Sequence, residues 1–159
     1  MKQTAMALLM YAKDHQGKFP FHTNGFGDAI LILAKEDSYN INLFTAPGDD
    51  GSQLRECLAA RTDMPELDCT RAYIQGLTEN ENPEIALVFD RYPTRGGDHS
   101  RAPWKPLRRE VCLLDGSMKI VEEKNWPEFR KRQIALLLAA GISPASAEQL
   151  YAPPRKLAR

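Results

Sequence analysis

Two short apolar runs carrying β-branched residues, Ile85–Phe89 and Val111–Leu114, constrain this chain more than anything else in it, because Asp115-Gly116 and then Ser117–Val121 follow the second run directly. Segments of this length, bounded by turn residues, predict three strands of one sheet. Asp-Gly between two strands is a two-residue hairpin signal, since a type I′ turn needs positive φ at both central positions and these residues tolerate it. The last two strands are therefore expected to be antiparallel neighbours, and the rest of the chain must cover the sheet they belong to.

Helices are predicted on both sides of that stretch. Ala5, Leu8, Leu9 and Ala12 recur at i, i+3, i+4 and i+7, one face of a helix that should end at Gly17 with Pro20 blocking continuation. No Ser, Asp or Asn cap precedes Lys2, so the pattern reads as cut into rather than begun. Ala29, Ile30, Leu33 and Ala34 describe a second helix, capped by Asn24 or Asp28. Ile41–Phe44 reads as extended, residues 45–51 as a loop, and Asp50 with Gln53 as a capping box for a helix carrying Leu54, Cys57 and Leu58. Tyr73-Ile74 is a further short strand before Gly76, and residues 92–106 form a long loop with Gly96-Gly97. Asn125-Trp126-Pro127-Glu128 predicts a capping box opening a helix that stops at Gly141, with Trp126, Phe129, Ile134, Leu137 and Leu138 on its apolar side. Ser143-Pro144 opens another helical turn, and residues 152–159 form a tail with nothing to bury. One globular domain over residues 1–151 is expected.

Charge and cysteine usage narrow the function. The 21 basic and 21 acidic residues cancel, so no net field draws the chain to nucleic acid or to an anionic membrane. Cys57 and Cys69 flank a turn and are a candidate disulfide pair, worth about 3 kcal/mol in an oxidising compartment; two unpaired small hydrophobes are the other reading. Cys112 sits inside an apolar run and should be buried.

Chemistry-bearing candidates are few. His99, beside Asp98 and with Asp90 and Asp115 as neighbours, has the residue types for acid/base work, but no nucleophile elbow accompanies it. Its bland use is a hydrogen bond that pins the loop to the sheet. Asp49, Asp50 and Asp68 offer oxygen ligands of the kind Ca²⁺ takes, although turn formation and helix capping account for the same residues. His15, His22 and His99 fall into no ligand spacing, and phosphate-loop motifs are absent, so no cofactor is implied. Arg101, Lys105, Arg108 and Arg109 with Trp104 make a basic, aromatic loop; Trp104 and Arg108 are the candidates for a protein contact, because interface cores are enriched in aromatic residues and Arg.

Several stretches together resemble one family. KQTAMALLMYAKDHQGKFP at residues 2–20 is similar to the part of a type IV pilin or pseudopilin helix that follows the membrane segment, in a branch reading roughly LKQ-ALxxYAxDxxGxFP. Residues 43–49 resemble that branch's lfxCPxD, residues 72–77 its SYxYxxGL, and Ile85–Asp90, His99 and Val111–Val121 its His…Asp-Gly ending, all in the same order. Three positions depart: Ala46 stands where the family has cysteine, an inserted RAPWKPLRR lengthens the segment between His99 and Asp115, and Ser117 replaces a histidine after Asp115-Gly116.

The resemblance implies an α+β, pilin-like fold: an N-terminal helix packed across an antiparallel sheet of about four strands, with a C-terminal helix at its edge. Asp90, His99, Asp115 and Gly116 become a structural motif rather than a catalytic one. The implied protein is a structural pilus or type II secretion subunit, extracytoplasmic and anchored in the inner membrane by an upstream apolar helix, with other pilin or pseudopilin subunits as partners. A small extracytoplasmic binding or enzymatic domain using the His99 and Asp115 region is the alternative.

Overall fold

The computed structural model describes residues 1–36, 71–94, 105–144, 147 and 151. Outside the described residues lie Asp49, Asp50, Cys57, Asp68, Cys69, His99 and Trp104, the segment expected to be extended at 41–44, the helix expected around Leu54 and the tail 152–159. The described elements are α1 (Lys2–Asp14), α2 (Phe26–Glu36), β1 (Arg71–Tyr73), β2 (Ala86–Asp90), β3 (Arg108–Leu113), β4 (Met118–Glu122), a 3-10 turn (Glu123–Asn125) and α3 (Trp126–Ala139). The four strands form one antiparallel sheet in the order β1-β2-β3-β4. The chain is therefore α+β, and the three predicted strands of residues 85–121 are contiguous in it.

Pairing and side-chain alternation separate the two faces. Tyr73 pairs with Val88 and Val88 with Cys112, so these three share a face. The Tyr73 hydroxyl donates to the Pro20 carbonyl at 2.7 Å, which places the exit of α1 on that side. Phe89, Val111, Lys119 and Val121 follow the opposite alternation, and Phe89 meets Trp126 of α3 with ring centroids 5.6 Å apart. Ala86–Phe89 of β2 are buried throughout, as a strand covered on both faces must be.

α3 thus lies across the face opposite α1 and reaches the central strand, and is not confined to the sheet edge as expected. The reason is Gln133. Its amide accepts from the Ala86 N–H at 2.8 Å and donates to the Glu84 carbonyl at 2.9 Å. The β2–β3 register shifts between Ala86 and Val88, so a backbone N–H at the irregularity is satisfied by a helix side chain. Trp126, Gln133 and Leu137 are the buried residues of α3, while Leu138, expected inside, is 42% exposed. Polarity misled the reading: the covered stripe runs at i, i+7 and i+11 through a glutamine.

Two local expectations need correcting. Only Gly116 of the hairpin pair has positive φ (83°), and its N–H donates to the Leu113 carbonyl at 3.0 Å. With the Leu113 N–H on the Ser117 carbonyl at 2.9 Å, the connection is a turn closed by a glycine bulge, not a two-residue type I′ turn. Asn125 makes no side-chain cap bond, because the 3-10 turn already brings it into helical geometry before α3 starts. α1 ends at Asp14, and the left-handed residues Gln16 (φ 58°) and Gly17 (φ 78°) turn the chain away.

Candidate functional site

Of the residues expected to form one structural motif, the described ones, Asp90, Asp115 and Gly116, are spread along the sheet. Asp90 ends β2, where its carboxylate accepts from the Glu110 N–H at 2.9 Å and sits 3.7 Å from the Arg71 guanidinium. Burial pushes the Asp90 carboxyl above the ordinary carboxylate range, against that N–H and Arg71, which pull it down. Asp115 lies at the other end of β3, in the hairpin, and accepts from the Ser117 N–H at 2.8 Å. Bonds from Ser117 hold its carboxyl below the ordinary range. The two carboxylates are not brought together, so they share no proton and frame no common substrate position.

The described residues offer little else for bond chemistry. Cys112 is fully buried, and burial, with the Asp115 charge adding to it, pushes its thiol up to about 11. A thiol held protonated at neutral pH is a poor nucleophile. No group of three or more metal-type ligands occurs among the described residues. Arg108 exchanges both backbone bonds with Thr94 at 2.8 Å, which ties the start of β3 to the chain leaving β2. Its neighbour Arg109 holds both Glu123 oxygens (2.8 and 2.9 Å), the carbonyls of Asp90 and Arg91, and the Trp126 ring at 4.5 Å from its centroid. Arg109 is a clamp between the sheet and the start of α3.

Two of the stretches that carry the family resemblance, residues 2–20 and 72–77, meet. The Gly17 N–H donates to Ala12 at 2.7 Å and its carbonyl accepts from Glu79 at 2.8 Å; Lys18 bridges Thr78, and Phe19 N–H donates to Leu77. A Cβ on Gly17 would stand 2.9 Å from the Glu79 side chain, so glycine serves both the positive φ and the close approach. Phe19 and Pro20 are buried, and the Pro20 carbonyl takes the Tyr73 hydroxyl. The DHQGKFP exit of α1 and the AYIQGL segment after β1 are thus complementary halves of one joint.

The outer side of α1 is the more informative surface. Thr4, Ala5, Leu8, Tyr11 and Ala12 are buried, yet Met6 and Met10, one turn apart on the opposite side, are 57% and 59% exposed. Leu9 is partly buried on the flank, where it reaches Gly116 of the hairpin. Met118 and Ile120 of β4 belong to the same face of the sheet as Cys112, beyond the strands that α1 covers, and are 41% and 57% exposed. Reading α1 only for its buried stripe missed this surface; two methionines at i, i+4 on the far side were the signal.

The chain matches no model of a known protein family, no curated protein and no solved structure.

Proposed function

We propose that this chain is the globular head of a type IV pilin-like or pseudopilin-like subunit, structural in role, which works by packing against other subunits and makes or breaks no covalent bond. The observation that carries the proposal is α1, apolar on the side that meets its own sheet and carrying Met6 and Met10 on the side that does not. A helix of an isolated domain needs only one apolar stripe. Unbranched, polarizable methionines suit a surface that must conform to a neighbour.

The four-stranded antiparallel sheet under α1 and the joint between the two resembling stretches support the same reading. In it, Asp90, Asp115 and Gly116 are structural: one ties β2 to β3, the others shape the hairpin against Leu9. The subunit is extracytoplasmic and is held in the inner membrane by an apolar helix of about twenty residues upstream of Lys2, the length needed to span a bilayer. No helix among the described residues is itself long and apolar enough to cross a membrane. No metal or cofactor is needed for this role.

The test is a Met6→Glu/Met10→Glu double variant made in the full-length gene in its own host. Secondary structure and melting temperature of the purified domain should be unchanged, while surface filaments, or the crosslinks to neighbouring subunits that report them, should be lost. Filaments formed normally by the double variant would overturn the proposal, as would a full-length gene with no apolar, membrane-length segment before Lys2.

A further inference from the structure

Sulfur chemistry gives the outer side of α1 a second property. Met6 and Met10 stand one turn apart there, 57% and 59% exposed, so both thioethers meet solvent directly. Met118 of β4 is 41% exposed, and Met1 is partly buried against the core. Cys112, the partner of Met118 across the β3–β4 ladder, is fully buried. The described residues thus hold sulfurs of two kinds: thioethers reached by solvent and a thiol sealed from it.

A two-electron oxidant such as hydrogen peroxide tells these sulfurs apart. Cysteine reacts as its thiolate, and burial keeps the Cys112 thiol protonated, its pKa pushed up to about 11. A thioether has no proton to lose, so neutral pH gives it no protection and access governs its oxidation. Met6 and Met10 are the most accessible of the described sulfurs. Position then decides the consequence. Thr4, Ala5, Leu8, Tyr11 and Ala12 are the buried residues of α1, so oxygen added at residue 6 or 10 leaves its docking on its own sheet unchanged. In the separate chain each sulfoxide stays hydrated. Pressed into an apolar contact, the same group loses its water and must find a new partner, which penalises the joined state alone.

We propose that Met6 and Met10 are a reversible oxidation site, at which a peroxide-class oxidant converts both thioethers to sulfoxides and so keeps an unassembled subunit from joining its neighbours. What is blocked rests on the filament reading above; the selectivity among the sulfurs does not. At each methionine the sulfur lone pair attacks one peroxide oxygen, the O–O bond breaks, the sulfur is oxidised by two electrons and water leaves. A methionine sulfoxide reductase runs the balance backward: two thiols supply the electrons, the S–O bond breaks, and a disulfide and water are formed. The two sulfurs lie on the assembly surface itself, so their oxidation state is read directly as the ability to pack, with no change of fold in between.

The experiment has two arms. In the first, the purified chain is given limiting hydrogen peroxide and its peptides are weighed; a Met118→Leu background removes the third exposed sulfur. Met6 and Met10 should each gain one oxygen before Cys112 gains any, the melting temperature should stay unchanged, and reductases for both sulfoxide epimers with dithiothreitol should remove both oxygens. Oxidation of Cys112 first, a falling melting temperature, or sulfoxides that resist the reductases would overturn the proposal. In the second, cells making the full-length protein receive peroxide before filaments form. Sulfoxide at residues 6 and 10 should be at least about tenfold scarcer in the filaments that then appear than in unassembled subunits. The ratio of treated to untreated filaments should fall for the parent and stay near one for Met6→Leu/Met10→Leu, each compared with its own untreated level. Equal sulfoxide content in both pools, or equal sensitivity of parent and variant, would overturn the proposal. The two readings fail separately: the filament reading fails in its own glutamate variant without oxidant, and this one only in the comparison with and without it.

Discussion

Replacing Gln133 by leucine separates two accounts of how α3 is held. The side chain is 2% exposed, and its amide makes two hydrogen bonds to the backbone of residues 84 and 86. If apolar packing alone docked the helix, Gln133→Leu would be neutral or stabilising, since it puts a side chain of similar size and greater hydrophobicity into the same place. The geometry predicts the opposite sign. Ala86 is fully buried, so its N–H would lose its partner without gaining water, at a cost of about 1–3 kcal/mol; the second bond, to the exposed Glu84, adds roughly 1 kcal/mol at most because water can replace it. The expected loss is about 2–3 kcal/mol, a large part of the 5–15 kcal/mol that such a domain commonly has. For a chain of this size it lowers the melting temperature by roughly 4–12 °C. Urea unfolding followed by circular dichroism measures the loss, and hydrogen exchange at the Ala86 amide locates it. A Gln133→Leu variant within about 0.5 kcal/mol of the parent, with the Ala86 amide still protected, would refute the reasoning.

Two further outcomes are expected. Gly116→Ala should cost about 1–2 kcal/mol, because φ is 83° and the added Cβ would stand 2.9 Å from Leu9 Cδ1; thermal melting reads the loss, and a companion Leu9→Ala should recover only the part due to the clash. Asp90 has a carboxyl whose pKa is raised on folding, so its contribution to stability is full below the ordinary carboxylate range and is lost as pH rises through the raised value. The stability of the parent minus that of Asp90→Asn should therefore fall between acid and neutral pH in urea titrations, and a difference that rises with pH would contradict the burial seen at this site.

Much of the scaffold was legible from local pattern. Apolar runs at residues 85–89 and 111–114 needed only to be placed in a sheet, and Gly17, Gly116 and Gly141 mark the ends of elements because each takes a positive φ. The candidate site was less legible. Asp90 and Asp115 are both aspartates beside strands, and nothing in their spacing says that the sheet holds them at opposite ends. The outward face of α1 was visible as two methionines, but their significance depends on knowing that the other side already has its sheet.

Among the described residues, sequence by itself determined which segments are strands and helices, where the chain turns after α1 and between the last two strands, and that those two strands are antiparallel neighbours, because periodicity and backbone freedom are properties of a few adjacent residues. Tertiary structure alone decided that a glutamine rather than Leu138 faces the core, that the hairpin closes with a bulge, and that α3 lies across the face of the sheet opposite α1. Each of those outcomes depends on which distant group arrives opposite: a buried N–H at a shifted register selects an amide over a methyl, and the second helix covers the face of the sheet that the first leaves to it.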